Sequence, residues 1–443
     1  MGRLLRLVVG GAAIAFVALG SPATAAASEV PAAPTFTKDI APIFQAKCEA
    51  CHRADSMAPM SLKTFAEVRP WVRSIRVRVA DRQMPPWQIE RSVGIQKFKN
   101  DRSLTDEERL TVLKWIDDGA PQGDAKDMPP PVSWPEDQGW NFAAQFGQKE
   151  PDLIVKSESF TMPALAQDAW DHRVTQSGLT EPRWVRAIEI RPSTVKGRRI
   201  THHAIAYLQQ QEGAATATPA PGGFGGFFME WAVGKQGELM RPDTGKLLLP
   251  GSSFRWDIHY SQAGEEITSQ VEMGLYFYPK GEEPKYRTSL SLVPAALGTM
   301  DIRPNTVSLV EGFTALRDNA RIESFQPHMH LRGKAMMVEA ILPGGQKQVL
   351  SYVKDFNFNW MTTYVYADDV APLLPKGTLL KVTAWHDNTA AKKSNPDPNQ
   401  WVGWGDRTVD EMAHAWINIV YMTDDDFKVE QEKRRASTTT QQQ

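Results

Sequence analysis

The spacing of apolar positions changes character along the chain. Leu7 to Leu19 is an unbroken apolar run behind Arg3 and Arg6, followed by Ala23-Thr24-Ala25 and Ala25-Ala26-Ala27. A basic start, a short apolar stretch and small-residue cleavage sites predict a secretory signal peptide over 1–27. The protein is therefore expected outside the cytoplasm, in the periplasm or otherwise exported.

From 36 to 121 the apolar period is helical. Ile40, Ile43 and Phe44 form a short stripe, and Phe65, Val68, Val72, Ile75 and Val79 predict a helix over 64–79. Thr105 with Glu108 predicts a capping box. The helix behind it carries Leu110, Val112, Leu113 and Ile116, and ends near Gly119 and Pro121. Residues 122–150 are rich in Pro, Gly, Asp and Gln and read as a linker.

Beyond 151 the period falls to two. Val271, Met273, Leu275 and Phe277 alternate with polar or small neighbours, and Leu380, Val382 and Ala384 alternate with Leu379, Lys381 and Thr383. The expected fold class is multidomain. An N-terminal all-α domain over 36–121 precedes two antiparallel β-sandwich, jelly-roll-like domains over 151–290 and 291–428, with an unstructured tail over 429–443.

Composition narrows the function classes. A formal charge of -2 offers no surface for nucleic acid. No stretch after the leader has the roughly 20 apolar residues of a membrane span. The chain has only 2 cysteines, so its domains must be held by their cores rather than by disulfides.

Both cysteines lie in Cys48-Glu49-Ala50-Cys51-His52. Two thiols at this spacing can add to the vinyl groups of one haem, with His52 placed to ligate its iron; a zinc site would need a second Cys pair. Met57, Met60 and Met84 are candidates for the sixth ligand. Met84 is preferred because Pro85 and Pro86 would fix the loop that carries it. The segment resembles a class I-like cytochrome c domain, on Cys-x-x-Cys-His followed by Met-Pro-Pro-Trp.

The remaining histidines concentrate on strand-like segments. His328 and His330, two apart, share a strand face, which suits two ligands of one ion. His202 and His203 are adjacent, so both reach one ion only if the backbone distorts or different ring nitrogens are used. His259 sits in another strand-like stretch. Imidazole with thioether suits copper, and zinc is the alternative for a three-His site.

Four stretches carry a further resemblance: Thr201-His202-His203-Ala204, Asp257-Ile258-His259-Tyr260, Gln326-Pro327-His328-Met329-His330-Leu331-Arg332-Gly333 and Asp410-Glu411-Met412. In this order, over about 150–425, they resemble the type II copper monooxygenases, the group of peptidylglycine α-hydroxylating and dopamine β-monooxygenase. The resemblance implies two coppers. His202, His203 and His259 would hold the electron-donating one; His328, His330 and Met412 would hold the oxygen-activating one across a solvent-filled cleft. It implies hydroxylation of a substrate C–H with O2 as catalysis. Gln326 stands where the peptide branch has a carboxylate-gripping Arg, and His414 and Trp416 stand where it has Asn and Tyr. A glycine-extended peptide is therefore not the expected substrate. Gln326, His414, His386 and Trp416 are candidate substrate contacts or supports, and Trp385 and Phe325 candidate pocket walls; His172 is assigned to surface or structure.

The expected protein is thus a periplasmic copper monooxygenase acting on a small organic molecule. One covalent haem c, reduced by an exported redox partner or small reductant, would feed two coppers. The competing reading is a non-catalytic haem/copper electron-transfer or copper-binding protein.

Overall fold

The computed structural model describes residues 30–441 except 55, 57, 59, 135–138, 212–225 and 297, and no side chain beyond 436. The expected leader over 1–27, Met57 and most of the Pro219–Gly226 loop lie outside the described residues. No helix among those described is long and apolar enough to cross a membrane.

The chain is largely β-sheet. The strands that build the site region are β1 (Leu153–Lys156), β2 (Ala169–Asp171), β3 (Arg183–Pro192), β4 (Thr201–Gln209), β5 (Phe227–Ala232), β6 (Thr244–Leu248), β7 (Ser253–Tyr260), β8 (Val271–Phe277), β9 (Tyr286–Ala296), β10 (Val307–Ala315), β11 (Asn319–Met329), β12 (Gly333–Ile341), β13 (Lys347–Val353), β14 (Tyr364–Val365), β15 (Leu379–Asp387) and β16 (Ala413–Met422). One long sheet runs β1-β8-β3-β6-β9-β16-β11-β14 through the molecule. Its first half faces the sheet β2-β7-β4-β5 across a core that includes Ile188, Phe254, Trp256 and Met273. Its second half faces β10-β15-β12-β13 across Ile322, Phe325, Val338 and Ile417.

The expected division at 290/291 falls inside β9. That strand pairs in parallel with β6 at Tyr286↔Thr244 and antiparallel with β16 from Thr288↔Val420 to Ala296↔Ala413. Backbone hydrogen bonding therefore continues from one sandwich into the other.

Alternation along β8 does not leave a wet face. All seven of its residues are buried, because the segment expected to be a linker covers the outer side. Trp140 and Ala143 pack with Ala187 and Tyr276, and the backbone amides of Asn141 and Phe142 donate to the Glu189 carboxylate at 2.7 and 2.8 Å. Gly274 lets this cover close: a Cβ there would lie 2.5 Å from Pro151 and 2.6 Å from Trp140.

The expected N-terminal all-α cytochrome c-like domain is corrected. Helix in this region comes in short pieces: a π-helical turn Phe36–Ile40, α1 (Ala41–Lys47), the single turn Phe65–Val68, α2 (Val72–Ala80) and α3 (Asp106–Asp117). Pro70 lies in the 3-10 turn that divides the helix expected over 64–79. The capping boxes Thr64/Glu67 and Thr105/Glu108 are formed. Between α2 and α3 the chain leaves the helices. Ile89 and Phe98 bridge Val353 and Tyr366, and Trp87, Ile89 and Phe98 pack into the second sandwich's core. Helical periodicity could not reveal this, because a residue's pattern does not say which core it enters.

The cytochrome c assignment, with covalent haem c and iron at Cys48, Cys51, His52 and Met84, is corrected with that domain. The 2 cysteines are three positions apart and are free thiols. Burial pushes the Cys48 thiol up to about 12. His52 Nδ1 lies 3.2 Å from the Met60 carbonyl, and the Met84 amide donates to the Arg78 carbonyl beyond the end of α2. Nor is the tail unstructured: Asp424–Gln441 is a helix, α4, and Phe427 packs on Val420 and Met422.

Candidate metal centre

The puzzle of adjacent histidines is resolved by a β-bulge. Along β4 and β7, His203 pairs with His259 and Thr201 with Tyr260, which leaves His202 as the extra residue. A bulge kinks its strand and re-aims a side chain that would otherwise point to the opposite face. His202 and His203 thus approach to 3.3 Å between their Nδ1 atoms. With His259 they place one ring nitrogen each within 4.8 Å of one another, and the three form a cluster able to hold a metal ion.

Ring stacking fixes two members. His259 lies parallel to Trp170 of β2 at 4.7 Å, and His202 stacks on Phe358 at 4.6 Å. Asp168 Oδ2 lies 3.1 Å from His259 Nε2 and accepts a 2.9 Å hydrogen bond from Thr408. Asp168 therefore ties the first cluster to the loop that leads into β16.

The second group is built on the facing strands β11 and β16. His328 and His414 are direct cross-strand partners and stack at 4.4 Å; the rings of His328 and His330 are 5.6 Å apart. His330 closes β11 at a turn, with its Nδ1 3.1 Å from the Asp410 carbonyl. Met412, His328, His330 and His414 line one cavity of about 370 Å³, together with His203.

A buried carboxylate holds this turn. Glu411, fully buried, accepts hydrogen bonds from the amides of His330 at 2.9 Å and Arg332 at 2.5 Å. Burial raises its pKa to about 7 against those bonds and the Arg332 charge. Arg332 donates to Asn388 and to the carbonyls of Val409 and Asp397. His386, also fully buried, sets its Nε2 3.2 Å from the Met412 carbonyl and so supports the backbone behind that thioether. Glu411 was legible only as part of Asp410-Glu411-Met412. Asp168, Phe358 and Trp170 gave no signal in the sequence.

The two histidine groups are not held apart by a solvent-filled cleft. The rings of His203 and His328 are 6.0 Å apart and nearly perpendicular. Phe358 bridges a second point, stacked on His202 and 6.1 Å from His330. Burial, first, and repulsion from the other histidines hold the imidazoles neutral: His202 and His330 are lowered to about 4 and His414 to about 3. Neutral imidazole is the metal-ligating form. Buried His328 Nδ1 and His414 Nε2 have no hydrogen-bond partner, an arrangement that a bound metal would relieve. The residues present therefore fit soft or borderline metals such as copper or zinc.

The other candidates divide. Trp416 lines the cavity. Gln326 does not: its amide donates to Glu230 at 2.7 Å and accepts from Thr363. Phe325 is buried in the second core beside Tyr364, and Trp385 packs against Tyr352. His172, assigned to surface or structure, is exposed and lines the cavity, with its Nδ1 3.6 Å from Asp257. Trp170, Tyr207 and Trp404 complete the aromatic wall.

No protein-family model matches the chain, and no curated protein matches it. A structure of the infectious bursal disease virus Gx strain is similar at 7% identity over 66% of this chain and 75% of that one, with a TM-score of 0.18. Paenibacillus xanthan lyase is similar at 10% identity over 67% and 28%, with a TM-score of 0.14. Likenesses this slight carry no argument about fold or function.

Proposed function

We propose that this chain is a copper-dependent monooxygenase, similar in kind to the type II copper monooxygenases, which hydroxylates a C–H bond of a small organic molecule outside the cytoplasm. The observation that carries this reading is the gathering of His203, His328, His330, His414 and Met412 around one cavity, beside the cluster of His202, His203 and His259. His202, His203 and His259 would hold one copper; His328, His330 and Met412 would hold the other. Bound copper supplies the one-electron steps and the O2 activation that hydroxylation requires.

The protein's own contribution is positioning. The bulge at His202 aims three neutral imidazoles at one point. The Glu411 turn brings the Met412 thioether to the His328 and His330 side, where a soft donor favours Cu(I). The aromatic wall binds an apolar or aromatic substrate and keeps water from it. The reaction RH + O2 + 2e− + 2H+ → ROH + H2O requires an external reductant, which we assign to a small molecule or an exported redox partner.

A second reading is a non-catalytic copper-binding protein. It draws on one fact: among the described residues, only His202, His203 and His259 bring three such donors within 4.8 Å. Elemental analysis of copper-loaded protein with oxygen-uptake assays separates the two. Two coppers per chain and substrate-dependent uptake, with a product heavier by one oxygen atom, are expected. One copper without uptake supports storage or transfer, and full zinc occupancy after copper loading overturns both.

A further inference from the structure

A second cavity, of about 350 Å³, opens on the seam between the two sandwiches, away from the histidines. Three parts of the chain build it. The first sandwich contributes Lys235, Glu238 and Arg241 from the segment between β5 and β6. The second contributes Glu323 and Ser324 of β11, Asn418 of β16 and Thr363. The strap between α2 and α3 contributes Lys99, Asn100 and Arg102.

Its lining is charged unequally. Lys99, Arg102, Lys235 and Arg241 face two carboxylates, Glu238 and Glu323. Three of the cations are already engaged. Lys235 is 2.9 Å from Glu238, Lys99 is 2.6 Å from Asp368, and Arg241 is 2.9 Å from Asp368. Arg102, half-buried, has no ion-pair partner among the described residues. Beside it the neutral groups are hydroxyls and amides. Asn418, 9% exposed, donates to Ser324 Oγ at 3.1 Å but leaves its own Oδ1 buried without a partner. A buried amide oxygen without a donor costs free energy that a ligand hydroxyl would recover.

We propose that this seam cavity binds a small hydroxylated carboxylate: Arg102 takes the carboxylate, and Asn418 Oδ1 accepts from a ligand hydroxyl. A guanidinium recognises carboxylate by charge-assisted hydrogen bonds of fixed geometry. A ligand here touches both sandwiches and the strap at once, so its binding stabilises their mutual docking. It also lies one hydrogen bond from a residue of the strand that carries His328. Thr363 lines the cavity and donates to Gln326, which lies two residues before His328 on β11. This assignment is independent of the copper reading and holds for the metal-free protein.

Gluconate and sorbitol make a matched pair of probes, since they differ in carrying a carboxylate or a neutral carbinol at one end. Calorimetric titration of the full chain should show saturable gluconate binding, with sorbitol at least about ten-fold weaker. Gluconate should raise the unfolding temperature of the metal-free protein. Arg102→Gln should abolish the preference for gluconate over sorbitol. Asn418→Asp, nearly isosteric, should weaken gluconate about ten-fold or more by adding a third carboxylate to the cavity lining, and it serves if Arg102→Gln does not fold. Equal binding of both probes, no saturable gluconate binding, or an unchanged preference in both variants overturns the proposal.

Discussion

The two histidine groups sit side by side yet are built by opposite means. The first needs one local irregularity: a single extra residue in β4 turns His202 onto the side of His203 and His259. His202 and His203 are half-buried and His259 is buried, and the supports of this group are stacked rings and one carboxylate. The second uses regular pairing, with His328 opposite His414, and depends on a turn held from behind by the wholly buried side chains of Glu411 and Arg332. The first should tolerate change around it; the second should fail when its buried supports are cut.

The sharpest test of this contrast is Met412→Ala. It removes the only thioether of the second group and none of the first. Copper at His202, His203 and His259 should remain, while hydroxylation should fall by about a hundred-fold or more, since thioether is the soft donor there. Retention of full activity would remove Met412 from the mechanism. His259→Ala should reverse the pattern, losing the first copper while Met412 and its partners keep theirs. Copper stoichiometry of the two variants, measured side by side, checks this.

Glu411→Ala comes next. Two buried backbone amides lose their acceptor and Arg332 loses its neighbouring negative charge, which should cost about 3–5 kcal/mol of stability. Urea unfolding of metal-free protein measures it. Glu411→Gln, which keeps an acceptor, should lose less. If alanine costs no more than about 1 kcal/mol, the turn is not held as described.

Acid should act on both groups in metal-free protein. The folded pKa values of His202 and His330 lie near 4, below the ordinary value near 6.5, so the unfolded chain binds more protons between those limits. The histidine contribution is complete above about pH 6.5 and is lost as pH falls, by roughly 1.4 kcal/mol per pH unit for each such histidine, while Glu411, raised to about 7, opposes one of them between about pH 7 and 4.5. Bound copper excludes the proton from the folded imidazoles but leaves the unfolded chain's titration unchanged, so loading the metal should raise stability throughout while the onset of the loss stays near pH 6.5. The midpoint of thermal unfolding between pH 7.5 and 4.5, with and without copper, tests it. A flat profile in the metal-free protein would show that the imidazoles are not held neutral.

The smallest effect is expected at Thr408→Val. It removes one half-buried hydrogen bond to Asp168 and should cost about 1 kcal/mol. A copper affinity that weakens at the first group alone would show that the Asp168 tie orients His259. Equal weakening at both groups would place the tie's effect on the docking of the sandwiches instead.

Much of the β architecture was legible because alternation is a local property. Leu380, Val382 and Ala384 are fully buried on β15, as period two requires, while Leu379 and Lys381 are not. The capping box at Thr105 was legible for the same reason. Where local reading failed, it failed on destination. The helical run before Pro70 is broken by one ring, and the aromatic residues Trp87 and Phe98 belong to a core assembled more than 200 positions later, around Phe325 and Tyr364. Gln326 misled in the same way: its neighbours placed it beside His328, but Glu230 and Thr363 claim its amide.

The sequence by itself singled out His202, His203 and His259 as a possible ligand set and the strand-like segments that bear them, since residue type and period are written locally. Tertiary structure alone decided that His202 is a bulge residue, that His203 faces His328 at 6.0 Å, and that the strap at 87–100 joins the second sandwich. The register of β4 on β7 is set by pairing between residues 44 to 59 positions apart and that of β11 on β16 by residues 84 to 103 apart, and the seam by one sheet hydrogen-bonded across both sandwiches. Such contacts are selected by the combined burial of two cores, a quantity that no single segment contains.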